Sequence, residues 1–196
     1  MMPSALRLLP VPALLVLAAC STTPRAPAPP PAPPVPPAAA VARAEVALAP
    51  ASASLVSGRL VLVPEAGGVH LPGTVGGLPP LGRFGFHVHE HGDCSAMDAA
   101  SAGGHFNPAN AAHGRRGQGT FHAGDMDNLA SDADGVAQVD LHLAGLSLGG
   151  DPGHDLIGRA IVVHAAPDDY RSQPAGNAGA RVACGVIRPL AADTAR

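Results

Sequence analysis

Between Gly85 and Asp93 the chain reads Phe86-His87-Val88-His89-Glu90-His91, and this strict alternation constrains the fold more than any other feature. In an extended strand successive side chains point to opposite faces, so the three imidazoles share one face and Phe86 and Val88 the other. Imidazole is the commonest protein ligand for copper and zinc, and two on one strand face can hold a single ion. An isolated His-x-His is more often a polar strand face open to solvent. Here His105, His113, His122, Asp125 and His164 follow, with glycines packed around them.

The rest of the composition agrees with short strands. Gly 24 and Pro 22 in 196 residues mark frequent turns and leave no room for long helices. Aromatic residues make up 3% and tryptophan is absent, so the core must come from Val, Leu, Ile and Ala. An apolar share of 46% supports one core, hence one domain with extensions. All 12 basic residues are arginine, set against 15 acids for a formal charge of −3. That balance lacks the basic patch of a nucleic-acid partner, and none is expected.

Residues 1–19 read as a secretion signal: Arg7 is the positive start, residues 8–17 the apolar run, and Ala18-Ala19 the small residues before cleavage. Ten residues span only about 15 Å as a helix, too short for a bilayer core of roughly 30 Å. Leu17-Ala18-Ala19-Cys20 resembles the lipobox of bacterial lipoproteins, in which the cysteine becomes the lipidated first residue. The alternative is ordinary cleavage nearby with Cys20 a spectator. Residues 20–43 then form a Pro/Ala-rich tether, with nine prolines in the fourteen residues 24–37. Proline fixes φ and lacks a donor, so this stretch runs as a polyproline II spacer. Seventeen such residues at about 3.1 Å each would hold a domain roughly 50 Å from its anchor.

The folded domain is expected over 44–190, with a short tail at 191–196. Residues 45–48, 55–63, 69–75, a histidine strand from Phe84, a hairpin from 125–130 and 136–143, 157–163 and 181–187 read as strands. Short strands with turn residues between them indicate an all-β sandwich or barrel. The Gly- and Asn-rich stretch 92–120 has no period, as functional long loops often do. Of three cysteines, the lipobox reading sets Cys20 aside and leaves Cys94 and Cys184 for a disulfide in an oxidising compartment. A pair of free thiols or a metal-thiolate site is the alternative.

Several blocks together carry a family resemblance. Gly85-Phe-His87-Val-His89-Glu90, Gly103-Gly-His105-Phe-Asn-Pro, His113-Gly, His122-Ala-Gly-Asp125, Gly158-Arg-Ala-Ile-Val-Val-His164 and Gly176-Asn-Ala-Gly-Ala-Arg181-Val-Ala-Cys184-Gly-Val-Ile resemble copper–zinc superoxide dismutase across 44–187. The resemblance implies an eight-stranded Greek-key β-barrel of Ig-like sandwich architecture with long metal-binding loops. It implies copper held by His87, His89, His105 and His164, and zinc by His105, His113, His122 and Asp125, with His105 bridging the ions. Arg181 then receives the anionic substrate superoxide, and Asp168 links His87 to His113. Three imidazoles and a carboxylate suit a closed, redox-silent zinc, and four imidazoles with an open axial position suit a cycling copper. One superoxide would leave as oxygen and a second as peroxide, with a His105 nitrogen carrying a proton. Gly103 and Gly104 are expected to let the backbone bend so that His105 reaches both ions.

His70, His91, His142 and His154 are expected to be surface or structural residues, and Arg115 with Arg116 a solvated pair. The early position of Cys94 and the short loop after His164 are similar to the bacterial periplasmic branch. That implies a lipid-anchored enzyme of the bacterial periplasm or cell envelope; a monomer and a homodimer both accord with it. The alternative is a non-enzymatic copper-binding or delivery module on the same fold, expected to lack the bridging histidine, a copper ligand or the arginine. A second alternative is a structural surface domain whose histidines merely bind zinc.

Overall fold

The computed structural model describes residues 41–190, so the expected signal, Cys20, most of the tether and the tail at 191–196 lie outside the described residues. Strands β1 (Ala44–Pro50), β2 (Ser57–Glu65) and β3 (Gly68–Gly76) form an antiparallel meander, β2 and β3 joined by the two-residue turn Ala66-Gly67. β4 (Arg83–Phe84) and β5 (Phe86–His89) are two parts of one strand interrupted at Gly85. There the Gly85 N–H donates to the Ala166 carbonyl at 2.8 Å, and the Gly85 carbonyl accepts from His164 N–H at 2.8 Å. β6 (Leu129–Ala130) pairs with β4, and β7 (Ala137–Ala144) with β3. β8 (Ala160–His164) lies between β5 and β9 (Arg181–Val186), while β9 and the short β10 (Arg188–Pro189) return to β1.

With β4 and β5 counted as one, the spatial order is β6, β4/β5, β8, β9, β1, β2, β3, β7, eight antiparallel strands. The chain crosses between the two halves after β3 and again after β6 and β7, and β9 comes back beside β1. This is a Greek key, curled into a β-barrel around one core. Val46, Leu60, Leu62, Val69, Leu71, Phe86, Val88, Met126, Leu143, Leu156 and Ile161 fill it, nearly all aliphatic as the composition requires.

β1 and β7 alternate buried and exposed positions along most of their length, the pattern of a strand with one face in water. β5 and β8 are buried at every position. Residues 92–125 lie over their outer face, pinned by a second cluster of small side chains: Ala51, Ala99, Ala102, Ala160, Val162 and Cys184. The loop is irregular apart from a 3-10 turn at Ala100–Ala102. The strand expected at 125–130 shrinks to β6, because Asp125 and its neighbours bond to the loop instead. β10 had no signal in the sequence, since Arg188 and Pro189 are both exposed.

Candidate metal centre

The alternation in β5 sends Phe86 and Val88 into the core and His87 and His89 outward beneath the loop. Two isolated bridges, His87 with Asp125 and His89 with His105, lay the loop strands against β5. The Val88 N–H donates to the Gly124 carbonyl, and the Val88 carbonyl accepts from Phe106 N–H, both at 2.8 Å. A single residue of β5 thus sets the register of both loop segments that carry imidazoles. His164 ends β8, the neighbouring strand in the same wall, where its N–H donates to the Gly85 carbonyl.

His87, His89, His105 and His164 form one group, and His105, His113, His122 and Asp125 another; in each, one donor atom per residue lies within 4.8 Å of the rest. All seven side chains are buried. In the first group the nitrogens facing away from the centre are tied down. His87 Nε2 lies 2.9 Å from Asp168 Oδ2, His89 Nδ1 3.0 Å from the Gly103 carbonyl, and His164 Nδ1 3.3 Å from the Gly179 carbonyl. The inward His87 Nδ1 and His105 Nε2 are buried with no hydrogen-bond partner. An unpaired buried polar atom costs about 1–3 kcal/mol, so two together mark a place built for a ligand. Burial holds the rings of His87, His89 and His164 neutral: His87 is pushed down to about 4, His164 to about 3, and His89 is lowered too. Neutral imidazole is the form that binds a metal.

In the second group Asp125 Oδ1 lies 2.8 Å from His105 Nδ1, 3.0 Å from His113 Nδ1 and 3.4 Å from His122 Nδ1. His122 Nδ1 and His105 Nδ1 are 3.5 Å apart. A tetrahedral zinc with bonds of about 2.0–2.1 Å needs edges of about 3.4 Å, so this donor set fits one. Burial alone would raise the Asp125 carboxyl, but bonds from His105, His113 and the amides of His122 and Gly114 hold it well below the usual range. Burial also opposes charge on His113, yet its bonds to Asp125 and Asp168 prevail and raise it to about 9. In the metal-free protein His113 is therefore a cation at neutral pH, and a metal entering there displaces its proton.

Asp168 spans the two groups, with Oδ2 on His87 and Oδ1 3.0 Å from His113 Nε2. Its backbone is held at both ends by Asn128, through Nδ2 to the Asp168 carbonyl at 2.9 Å and Oδ1 from the Asp168 N–H at 2.8 Å. Gly176 packs against it: a Cβ there would lie 1.7 Å from Asp168 Oδ1, and its φ of +66 favours glycine. Nothing in the spacing of Asn128 or Gly176 announces this support.

Arg181, at the start of β9, reaches over the first group. Its Nη1 donates to the Ala99 carbonyl at 2.7 Å and its Nη2 to the Gly103 carbonyl at 2.6 Å, the same oxygen that fixes His89. With His89, His105 and His164 it lines an open pocket. Cys94 and Cys184 are joined in a disulfide, tying the loop that holds Arg181 to the strand that bears it.

His91 is exposed, because β5 ends at His89 and the backbone then turns to bond Glu90 N–H to Gly104 and His91 N–H to Ala102. His70, His142 and His154 each sit beside a surface carboxylate: Asp140, Glu65 and Asp151. Two expectations need correction. Only Gly103 has the left-handed φ, +74, that its bend requires; Gly104 does not. Arg116 is no solvated charge: it donates from Nε to the Asp125 carbonyl at 2.8 Å and to the Ala123 and Ala144 carbonyls, locking the loop behind the second group. Arg115 pairs with Asp127 at 2.8 Å.

The fold and its donors define a β-barrel protein with two adjoining metal sites. The family model described as copper/zinc superoxide dismutase matches residues 56–187. A superoxide dismutase [Cu-Zn] of Aquifex aeolicus is 42% identical over 136 residues, covering 68% of this chain and 80% of its own. One from the plant Mesembryanthemum crystallinum is 42% identical over 139 residues, covering 67% and 86%. Among solved structures, the clock protein EA4 superposes with a TM-score of 0.69 at 40% identity, over 78% of this chain and 97% of its own. A double mutant of a SOD-like protein from Bacillus subtilis gives 0.67 at 34%, over 74% and 96%. The chain belongs to the copper–zinc superoxide dismutase family: it is an oxidoreductase with copper and zinc as cofactors and superoxide as substrate.

Proposed function

We propose that this chain dismutes superoxide at a copper held by His87, His89, His105 and His164, joined through His105 to a zinc held by His105, His113, His122 and Asp125. The observation that carries this reading is the pair of buried, unpartnered nitrogens, His87 Nδ1 and His105 Nε2, within the first group. Copper, when bound, supplies the one-electron redox change by which two superoxides and two protons become oxygen and hydrogen peroxide. His105 offers Nε2 to the first group and Nδ1 to the second, which supports a bridging role. Its Nε2 is also the atom suited to holding a proton whenever it is not bound to copper. Asp168 orients His87 and His113 as a shared acceptor. Arg181, clamped by two carbonyls, presents a fixed cation to an anion entering the pocket.

The same reading places the enzyme in a bacterial periplasm or cell envelope, with a signal at 1–19, a lipid on Cys20, a tether over 20–43 and the catalytic domain over 44–190. The Cys94–Cys184 disulfide supports an oxidising compartment. A monomer and a homodimer both accord with this reading. Loading the purified domain with copper and zinc and following superoxide decay tests the activity; the doubly loaded protein should turn over catalytically, and a stoichiometric copper-binding module would not. Cys20→Ser should release the full-length protein from membranes without changing that activity.

A further inference from the structure

The loop over 166–179 holds the second metal group by more than Asp168. The side-chain amide of Gln173 meets the backbone of His113, sixty positions away, at two points. Its Oε1 accepts from His113 N–H at 2.9 Å, and its Nε2 donates to the His113 carbonyl at 2.9 Å while also reaching the Arg171 carbonyl at 3.2 Å. His113 lies outside any strand or helix, so no ladder supplies these partners. Its ring is fixed by Asp125 on one nitrogen and Asp168 on the other. Gln173 thus fixes the backbone where the two acids fix the imidazole. Gln173 and Pro174 also line the pocket over His89, His105 and His164, together with Asn107 and Asn110.

We propose that Gln173 is a positioning residue that holds His113 in ligating position and so slows the loss of zinc, while keeping the pocket wall attached to the loop that carries the zinc donors. This rests on the assignment of zinc to His113 made above. A glutamine fits where other side chains do not. The site needs one acceptor and one donor from a single planar group, at the end of a side chain long enough to cross between two loops. A glutamate in its place would accept from the amide but set an oxygen against the His113 carbonyl; a methionine has the length and neither polar group.

The test uses the copper- and zinc-loaded protein and reads zinc release into excess chromogenic chelator, with exchange of the His113 amide followed by NMR. Groups that orient a metal ligand are worth about 10–100-fold in metal affinity, so Gln173→Met should release zinc at least about tenfold faster. The His113 amide should exchange faster in step, and Gln173→Glu should fall between Gln173→Met and wild type. Ser131→Ala controls for general loosening, because Ser131 bridges Pro79 and Gly82 away from both metal groups. It should lower stability and leave zinc release unchanged. Zinc release from Gln173→Met at the wild-type rate, or no faster than from Ser131→Ala, would overturn the proposal. His113→Ala separates the two layers of the argument: retained zinc would overturn the zinc assignment itself. Zinc lost from His113→Ala but released normally from Gln173→Met would overturn the role of Gln173 alone.

Discussion

The two donor groups sit side by side and share His105, yet they are built in opposite ways. His87, His89 and His164 stand on β5 and β8, in ladders buried on both faces. His113, His122 and Asp125 stand on an irregular loop whose order comes from side chains: Asp125, Arg116, Asp168 and Gln173. In the metal-free protein burial holds the strand-borne rings neutral, whereas two carboxylates raise His113 in the loop to about 9. On the proposed assignment, a rigid backbone would suit the copper that changes oxidation state, and loop donors would suit a zinc whose role is to hold structure.

Stripping both metals should separate the halves most. Amides over residues 104–125 should exchange at least about a hundredfold faster, while those of β5 and β8 change little, because β5 and β8 keep their ladder hydrogen bonds without the ions and the loop has no ladder of its own. Equal loosening on both sides would erase the contrast.

Arg181 joins the halves, rooted in β9 and clamped by loop carbonyls at Ala99 and Gly103. The chain's formal charge of −3 repels superoxide at long range, but screening confines that field to about 10 Å at 0.1 M salt. A cation fixed at the pocket acts at contact, so Arg181→Ala should lose about tenfold or more of the rate, the low end of what a focused field supplies, and Arg181→Glu more. Metal content should be unchanged in both. Full activity in Arg181→Glu with both metals bound would mean the anion is received elsewhere.

Acid should weaken the metal-free protein through its buried imidazoles, with His87 and His164 of the strand side among them. His87 and His164 titrate at about 4 and about 3 when folded, against about 6.5 unfolded, so the unfolded chain binds the extra protons. Their contribution is present above pH 6.5 and declines as pH falls toward 4, by about 1.4 kcal/mol per pH unit for each ring. His113, raised to about 9, works in the other window: its contribution is complete below 6.5 and is lost as pH rises through 9. Denaturant melts of metal-free protein between pH 4 and 7 should show the first slope. In His87→Asn that slope should shrink.

The smallest effect belongs to His91. Periodicity put it on the same face as His87 and His89, but the backbone leaves the ladder after His89 and exposes it. His91→Ala should leave copper binding and turnover nearly unchanged, and a large loss would mean the strand presents a different pair.

His91 also shows where the sequence could be read and where it could not. Short strands were legible because alternation and turn residues are local, whereas the barrel and the donor set came through the family resemblance. The end of β5 was not, since it depends on Glu90 and His91 meeting the Gly104 and Ala102 carbonyls of a loop with no period. Asn128 and Gln173 were silent for a related reason: each holds a residue forty or more positions away, Asp168 and His113. Arg116 looked like half of a charged pair and is a backbone clamp, which only the path of the loop reveals.

The central claim is that His105 belongs to both sites at once, and the visible spectrum of bound copper tests it most directly. In wild type, withdrawing zinc should shift the copper band as His105 Nδ1 is freed, and returning zinc should restore it. In His105→Ala, the copper band should be altered from the start and indifferent to zinc. A wild-type copper spectrum unmoved by zinc removal would contradict the shared histidine and leave two independent sites.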